Sequence, residues 1–275
     1  MKYAEFSYAN SDHPPLKRWV IRSIEGVSGR KKILDLYGIW KATIVGTSEC
    51  IWNDLLDLIN LNVSVTNGEW PPKDLPSCPL ILIANHPYGI GDGLAILALA
   101  EQLNRPFKIL INNELLKVPE VRPFSLPVDF EETKAALKTN MQTRKEALRL
   151  LQDGTTIIVF PGGGVATAAK PFGRAEELPW KTFTAKMIRS SKATVLPLYF
   201  DGQNSWLFHL ASKYSLTLRL SLLVREFRKN LGSMMTARVG APIPFVTLSG
   251  FQDQKEIMDF LQNKVMEMAP VSDRR

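Results

Sequence analysis

The sequence predicts an α/β fold: a largely parallel mixed sheet flanked by helices and preceded by an N-terminal helical segment. Three observations carry that expectation. Short, bounded apolar runs such as Leu80-Ile81-Leu82-Ile83-Ala84 have the length of buried strands and no polar alternation. They alternate with longer helix-like stretches, the order that builds parallel strands joined by crossover helices. Two of the runs lead into glycine-rich turns, around Gly89, Gly91 and Gly93 and at Gly162, Gly163 and Gly164. An open α/β sheet binds its ligands at such turns, outside the carboxyl ends of its strands.

In chain order, residues 1–13 read as irregular, and His13, Pro14 and Pro15 introduce a helix. Residues 16–61 are helix-like, with a break near Gly26 and Gly29. The first half interleaves Lys17, Arg18, Arg22, Arg30, Lys31 and Lys32 with Trp19, Ile21, Ile24, Ile33 and Leu36. That composition fits an interfacial amphipathic helix and equally a core-packing helix with a solvated basic face. Residues 62–79 hold a short strand and a Pro-rich connection. The strand 80–84 then leads through the first glycine turn to a helix at 94–103, and a second buried strand follows at 107–111. A helix at 131–152 leads to a third strand, 155–160, and a helix around 180–189 to a fourth, 193–200. Pro197 inside that last run argues for an edge strand or a strand start. A late strand at 236–239 and a closing helix at 255–268 complete the pattern. The organisation expected is a helical segment, 1–61, and an α/β domain, 62–275.

The formal net charge is +7, with 45% hydrophobic and 22% charged residues. Such a balance suits a globular protein with anionic partners: nucleic acid, anionic lipid headgroups or an acidic carrier protein. No recognised nucleic-acid module accompanies the charge, so nucleic acid is not expected. Cys50 and Cys78 form no CxxC pair and no metal-ligand cluster, so no metal is expected, and a reducing compartment is. No run approaches the roughly 18 apolar residues of a membrane span. The N-terminus lacks the apolar core of a signal peptide. A peripheral protein on the cytoplasmic face of a membrane is the expectation.

The densest chemistry lies in Asn85-His86-Pro87-Tyr88-Gly89-Ile90-Gly91-Asp92-Gly93. An Asp that accepts the Nδ1 proton of a His fixes its tautomer and leaves Nε2 free to take a proton from a hydroxyl. His86 is one of only three histidines. Position alone also allows it to be a capping or packing residue. The same glycines, with Glu114 after the second strand, invite a dinucleotide-fingerprint reading. Their spacing is G-x-G-x-G, though, where the fingerprint has G-x-G-x-x-G. The second segment, Phe160-Pro161-Gly162-Gly163-Gly164, can offer backbone N–H groups to an anion or oxyanion, or be simply a turn. No Gly-Lys-Ser/Thr follows, which excludes a nucleotide P-loop. In the third, Val195 to Ser205, Gln203 and Asn204 are candidates for polar substrate groups or members of an ordinary polar loop. Residues 205–229 combine Trp206, Leu207, Phe208, Leu222, Leu223 and Phe227 with Lys213, Arg219, Arg225, Arg228 and Lys229. They suit either an interfacial surface, where each cation near an anionic leaflet adds roughly 1 kcal/mol, or a buried helix pair.

Taken together and in this order, the segments resemble the conserved blocks of the lysophospholipid (glycerolipid, PlsC-like) acyltransferase family, over roughly residues 80–245. Asn85-His86-Pro87…Asp92-Gly93 resembles the family's His…Asp block, and Phe160-Pro161-Gly162-Gly163 its Phe-Pro-Glu-Gly block. Val195-Leu196-Pro197 resembles its Val-Ile-Pro block, and Asn113-Glu114-Leu115 stands where its second block stands. Details are similar to a bacterial branch that includes hemolysin-like proteins and lyso-ornithine-lipid acyltransferases. The resemblance implies transfer of a fatty acyl group from an acyl-ACP or acyl-CoA thioester to a lysolipid hydroxyl, with His86 as general base and Asp92 orienting it. It implies no cofactor beyond that co-substrate, and a membrane surface as partner. It places Asn85, Gly89, Asn113, Phe160, Pro161, Gly162 and Gly163 at the substrate. Two departures stand out. Five residues separate His86 from Asp92 where the family has four, and an extra residue in a glycine-rich turn can loop out. Gly162 replaces the family's Glu, and Val165 and Ala166 follow where hydroxyl and Arg groups are expected. In the family those polar groups are associated with the acceptor's phosphate, so an acceptor other than lysophosphatidic acid fits better. Lys170 and Arg174, just downstream, are candidate cation contacts or ordinary surface charges. A non-catalytic lipid-binding relative and an acyl-thioester hydrolase are the alternatives.

Overall fold

The computed structural model describes residue 26 and residues 29–270, apart from 74, 78, 130–132 and 171. The basic stretch before residue 26 lies outside the described residues. Helices α1 (Arg30–Thr43) and α2 (Ile51–Leu58) precede strand β1 (Asn62–Thr66). Then come β2 (Leu80–Ala84), α3 (Ile90–Glu101), β3 (Phe107–Asn112), two short 3-10 turns (Asn113–Lys117 and Pro119–Phe124) and β4 (Ser125–Val128). Next are α4 (Lys134–Gln152), β5 (Thr156–Val159), α5 (Phe183–Ser191) and β6 (Thr194–Phe200). The chain continues through α6 (Trp206–Tyr214), α7 (Leu216–Asn230), β7 (Met234–Val239), α8 (Phe245–Ser249) and α9 (Gln254–Met266).

The strands form one seven-stranded sheet in the order β1-β7-β6-β2-β5-β3-β4. Every neighbouring pair is parallel except β6 with β7. The expected largely parallel mixed sheet is what forms, with β4 as a strand the sequence reading missed. β2 lies at the centre, and the order reverses about it. Its successors β3, β4 and β5 sit on one side, β6 and β7 on the other, which is the topology that opens a ligand crevice at the carboxyl edge.

Both faces of the sheet are covered, which explains the unalternating apolar runs. On β2, Leu80, Leu82 and Ala84 enter one core with α3 and with Tyr37, Trp40 and Trp52 of the N-terminal helices. Ile81 and Ile83 point the other way, into a core with α4, α5 and α9. The described N-terminal helices therefore share the domain's core. α3 is apolar nearly all round because it is buried nearly all round, and Glu101 at its end accepts the Trp52 and Asn53 N–H groups of α2 at 3.2 and 3.0 Å. That carboxylate satisfies donors which a helix start otherwise leaves open.

Two sequence expectations need correction. The N-terminal helical stretch breaks at residues 44–50, between α1 and α2, as well as before Arg30. Pro197 marks neither an edge nor a start: it sits mid-way along β6, next to the central strand. Its neighbours explain the tolerance. The Val195 N–H pairs with Ile243 and the Pro197 carbonyl accepts from Gly240, so this side of β6 faces the bend at 240–243 where β7 has already ended. The imino nitrogen has no ladder partner to lose there.

Candidate active site at the carboxyl edge of the sheet

β2 delivers its C-terminus to the middle of the sheet edge, and His86 follows two residues after Ala84. The chain turns at Gly89, whose φ of 89° lies in the region that side-chain-bearing residues avoid. A Cβ there would also stand 3.0 Å from both Leu223 and Val165. Helix α3 begins at once, so Asp92 lies in its first turn, and not in the preceding turn as the sequence suggested. Asp92 is fully buried. Its Oδ2 accepts the Tyr88 N–H at 3.0 Å, and its Oδ1 lies 3.2 Å from His86 Nδ1. The angle at that contact falls short of a hydrogen bond, and neither atom has another partner. Catalytic hydrogen bonds are often loose before substrate arrives. The five-residue spacing is thus accommodated by the kink at Gly89 with an early helix start, and the pair meets.

His86 is held from three further sides. Its ring stacks on Phe160 with centroids 4.1 Å apart and planes inclined by 24°. Its backbone N–H donates to Glu177 Oε1 at 2.6 Å, and its carbonyl accepts from Ala166 N–H at 2.8 Å. Nε2 engages no group among the described residues. Burial disfavours the imidazolium, but the adjacent Asp92 carboxylate, with the Glu177 charge behind, outweighs it and holds the His86 pKa above its ordinary value. Burial pushes the Glu177 carboxyl up as well. Tyr88 is pushed up to about 12, first by burial and then by the Asp92 and Asp201 charges. It remains a donor, and its hydroxyl bonds the Asp201 carbonyl at 3.0 Å.

The second glycine run forms the wall opposite the imidazole. Gly163 N–H closes a turn onto the Phe160 carbonyl at 3.0 Å, and the Pro161 carbonyl accepts from Lys181 N–H at 3.0 Å. The Gly163 N–H is therefore already committed within the loop. The N–H groups of Gly162 and Gly164 have no acceptor among the described residues. Residues 167 and 176 then pair as a small antiparallel bridge, whose projecting loop carries Lys170, Phe172 and Arg174.

Of the other residues singled out from sequence, several are structural. Asn85 is buried and pairs through Nδ2 and Oδ1 with the carbonyl and N–H of Phe200, at 2.9 and 2.7 Å, extending the β2–β6 ladder by one side chain. Gln203 braces the projecting loop, accepting the Ala175 N–H at 2.8 Å and donating to the Gly173 carbonyl at 3.3 Å. Asn204 is buried and reaches the Tyr88 carbonyl at 3.4 Å, steadying the histidine turn. Lys170 and Arg174 are exposed, on either side of Phe172 in the sequence. Asn113 is exposed after β3, at the same sheet edge but beyond β5.

Two charged residues stand at the site where the sequence did not place them. Glu177 stands beside Gly162, its Oε2 3.1 Å from where a Gly162 Cβ would be, so a carboxylate reaches the loop from fifteen positions downstream. Arg219 of α7 donates to the Val165 carbonyl and covers the Phe208 ring with its guanidinium carbon 5.6 Å from the centroid. Nothing local marks Glu177. Arg219 had a signal: a lone cation between Leu218 and Leu220 in an apolar stretch. His209, also unremarked, is buried and accepts the Ala168 N–H on Nδ1 at 3.3 Å; burial lowers its pKa and keeps it neutral.

A mostly parallel sheet with converging polar groups at its carboxyl edge defines an α/β enzyme with its ligand site at the strand ends. The sequence model of the family described as Acyltransferase matches residues 62–201, about half of the chain and all of the strands from β1 to β6. The chain belongs to the acyltransferase family and is an acyl-transferring enzyme. It is 27% identical over 200 residues to a lyso-glycine lipid O-acyltransferase of Phocaeicola vulgatus, covering 68% of this chain and 67% of that protein. To a lyso-glycine lipid O-acyltransferase of Bacteroides thetaiotaomicron it is 26% identical over 226 residues, covering 78% and 77%. The crystal structure of the 1-acyl-sn-glycerophosphate acyltransferase PlsC from Thermotoga maritima shares the fold, with a TM-score of 0.51 and 18% identity, over 91% of this chain and 78% of that one.

Proposed function

We propose that the protein moves a fatty acyl group from an acyl-ACP or acyl-CoA thioester to the hydroxyl of a lysolipid, with His86 as general base. The observation that carries this reading is the His86–Asp92 pair: a buried carboxylate 3.2 Å from Nδ1, with Nε2 uncommitted. Asp92 fixes the Nδ1–H tautomer and favours the imidazolium. The acceptor hydroxyl gives its proton to Nε2 as its oxygen attacks the thioester carbonyl. The N–H groups of Gly162 and Gly164 are the candidates to stabilise the oxyanion. The C–S bond then breaks, the thiolate takes the proton back from Nε2, and the products are an ester and a free thiol. No covalent acyl-enzyme is needed. The two lyso-glycine lipid relatives support a lyso-aminolipid as acceptor.

A bilayer-embedded acceptor calls for a membrane-facing surface, and the projecting loop supplies one. Phe172 is 83% and Trp206 47% exposed, stacked 5.3 Å apart at 23°, with Lys170 and Arg174 on either side of Phe172. Among the described residues no helix is long and apolar enough to cross a membrane. Contact is then peripheral, through aromatic tips and cations.

The deciding experiment incubates labelled acyl-ACP or acyl-CoA with a panel of lysolipids and compares the protein with His86→Ala. Label should enter a diacylated product, and His86→Ala should lower kcat by at least roughly 10²–10⁴-fold. Release of free fatty acid alone would replace this reading with a thioester hydrolase. Lipid binding without turnover, unaltered by the substitution, would make the site a binding surface.

A further inference from the structure

The loop that faces His86 has no polar side chain of its own: residues 160–166 read Phe-Pro-Gly-Gly-Gly-Val-Ala. A cation reaches it from elsewhere. α7 packs its apolar face on this loop, with Leu222 and Leu223 against Val165 and Phe208, and that packing brings Arg219 to the loop's rim. One guanidinium N–H is held by the Val165 carbonyl. The next residue's N–H, that of Ala166, is bonded to the His86 carbonyl at 2.8 Å. The guanidinium is therefore tied, through the single peptide group between Val165 and Ala166, to the backbone carbonyl of His86. A Cβ on Gly164 would lie 3.8 Å from its Nη2, so Gly164, whose N–H has no acceptor among the described residues, is its neighbour.

Arg219 is half-buried, and its burial disfavours the charge. Among the described residues no carboxylate pairs with it: its partners are one carbonyl and the face of one ring. A partly desolvated guanidinium with unused donors costs free energy until an anion arrives. Its planar fork suits a carboxylate or phosphate, taken through two parallel N–H bonds. Glycine joined to a lipid through its amine keeps its carboxylate, so an acceptor of the type named for the two relatives carries such an anion.

We propose that Arg219, with the adjacent Gly164 N–H, receives the anionic headgroup group of the acceptor, a carboxylate in a lyso-aminolipid, and so sets acceptor specificity. This rests on the lysolipid reading above. The headgroup anchored at Arg219 orients the hydroxyl of the same molecule toward His86. The same fork fits the phosphates of a donor thioester, so the test must separate the two.

Two acceptors identical except for the headgroup, one with the free carboxylate and one with its primary amide, are compared at saturating donor with the wild-type protein, Arg219→Gln and Arg219→Lys. Amidation should lower wild-type kcat/KM for the acceptor roughly 10–100-fold, the worth of a charge-assisted hydrogen bond. Arg219→Gln should lose about as much on the carboxylate and discriminate little between the two. Arg219→Lys, which keeps charge but not the fork, should retain part of the preference, and it serves alone if the Gln variant does not fold. The KM for the donor should be unchanged throughout. An intact carboxylate preference in the variants would overturn the proposal. A raised donor KM with unaltered acceptor preference would assign Arg219 to the donor's phosphate and overturn it too. Wild-type protein that acylates neither acceptor, nor any lysolipid of the panel, would sink the lysolipid reading itself and the proposal with it.

Discussion

Glu177 shows how one side chain can tune another without touching the reacting atoms. Its Oε1 takes the His86 N–H, and its charge helps hold the imidazole pKa up. A base must be neutral to accept a proton. The kcat/KM of the wild-type protein should therefore fall as pH drops through a value above roughly 6.5, the ordinary His pKa. Stability runs the other way. A His whose folded pKa is raised contributes stability that is complete below its unfolded pKa and disappears as pH rises through the folded one. Glu177→Gln keeps an acceptor for the N–H but removes the charge, so the acid limb of the pH–rate profile should move down. A profile unmoved by Glu177→Gln would reduce the residue to a hydrogen-bond partner. Gly202 fixes the same turn from the other side of Tyr88. Its φ is 106°, and a Cβ there would fall 1.9 Å from the Tyr88 hydroxyl, so only Gly lets Tyr88 brace the histidine turn against Asp201.

At the scale of elements, the α6–α7 hairpin carries both Trp206 and Arg219, and one buried acid closes it. Glu226 accepts the N–H and hydroxyl of Ser205, at 2.9 and 2.6 Å, where α6 begins. Arg225 and Lys229 approach it at 3.1 and 3.2 Å. Hydrogen bonds hold its pKa down against a burial that would raise it, so it stays charged at neutral pH. Glu226→Ala leaves the Ser205 N–H and hydroxyl without their acceptor, while the more exposed Arg225 and Lys229 turn to water, and should cost about 2 kcal/mol, with Glu226→Gln milder because it keeps the hydrogen-bond geometry. Thermal melts of the two variants decide the point; equal midpoints would mean that the charge, and not the bonding, holds the hairpin. The legibility of the elements follows from what fixes each. β2, β5 and β6 were readable because strands buried on both faces are apolar throughout. β4 was not, because Ser-Leu-Pro-Val is short and polar at its edge. Pro197 misled because a proline's cost depends on whether its nitrogen faces a neighbour, which is decided by where β7 ends. The site shows the same division. His86, Asp92, Gly89 and Phe160 lie within a few residues of strand ends, and their proximity could be read. Glu177 and Arg219 arrive from a loop and a helix whose placement depends on tertiary packing.

For the whole molecule, the histidine and the projecting aromatic loop lie beside one another on the same scaffold. The central strand presents His86 at the carboxyl edge, and the bridge between residues 167 and 176 projects Phe172 from the loop beside it. The net charge of +7 adds a long-range attraction to anionic bilayers. The membrane-facing proposal then makes two separable claims. Binding to vesicles of zwitterionic lipid with a fraction of anionic lipid should weaken on raising salt from low to about 0.5 M, as exposed charges are screened beyond a Debye length of a few Å. Phe172→Ser and Trp206→Ser should weaken it at every salt concentration. The loss should be up to about tenfold for each ring, since full burial of such a side chain is worth roughly 1.5–3 kcal/mol and a surface ring is only partly inserted. Sedimentation with vesicles measures both. Salt sensitivity without any aromatic effect would leave the basic surface as the attachment and Phe172 and Trp206 as a mutual packing pair. An aromatic effect that persists at high salt would place the stacked pair in the bilayer, with the histidine edge of the sheet held beside the surface where a lysolipid lies.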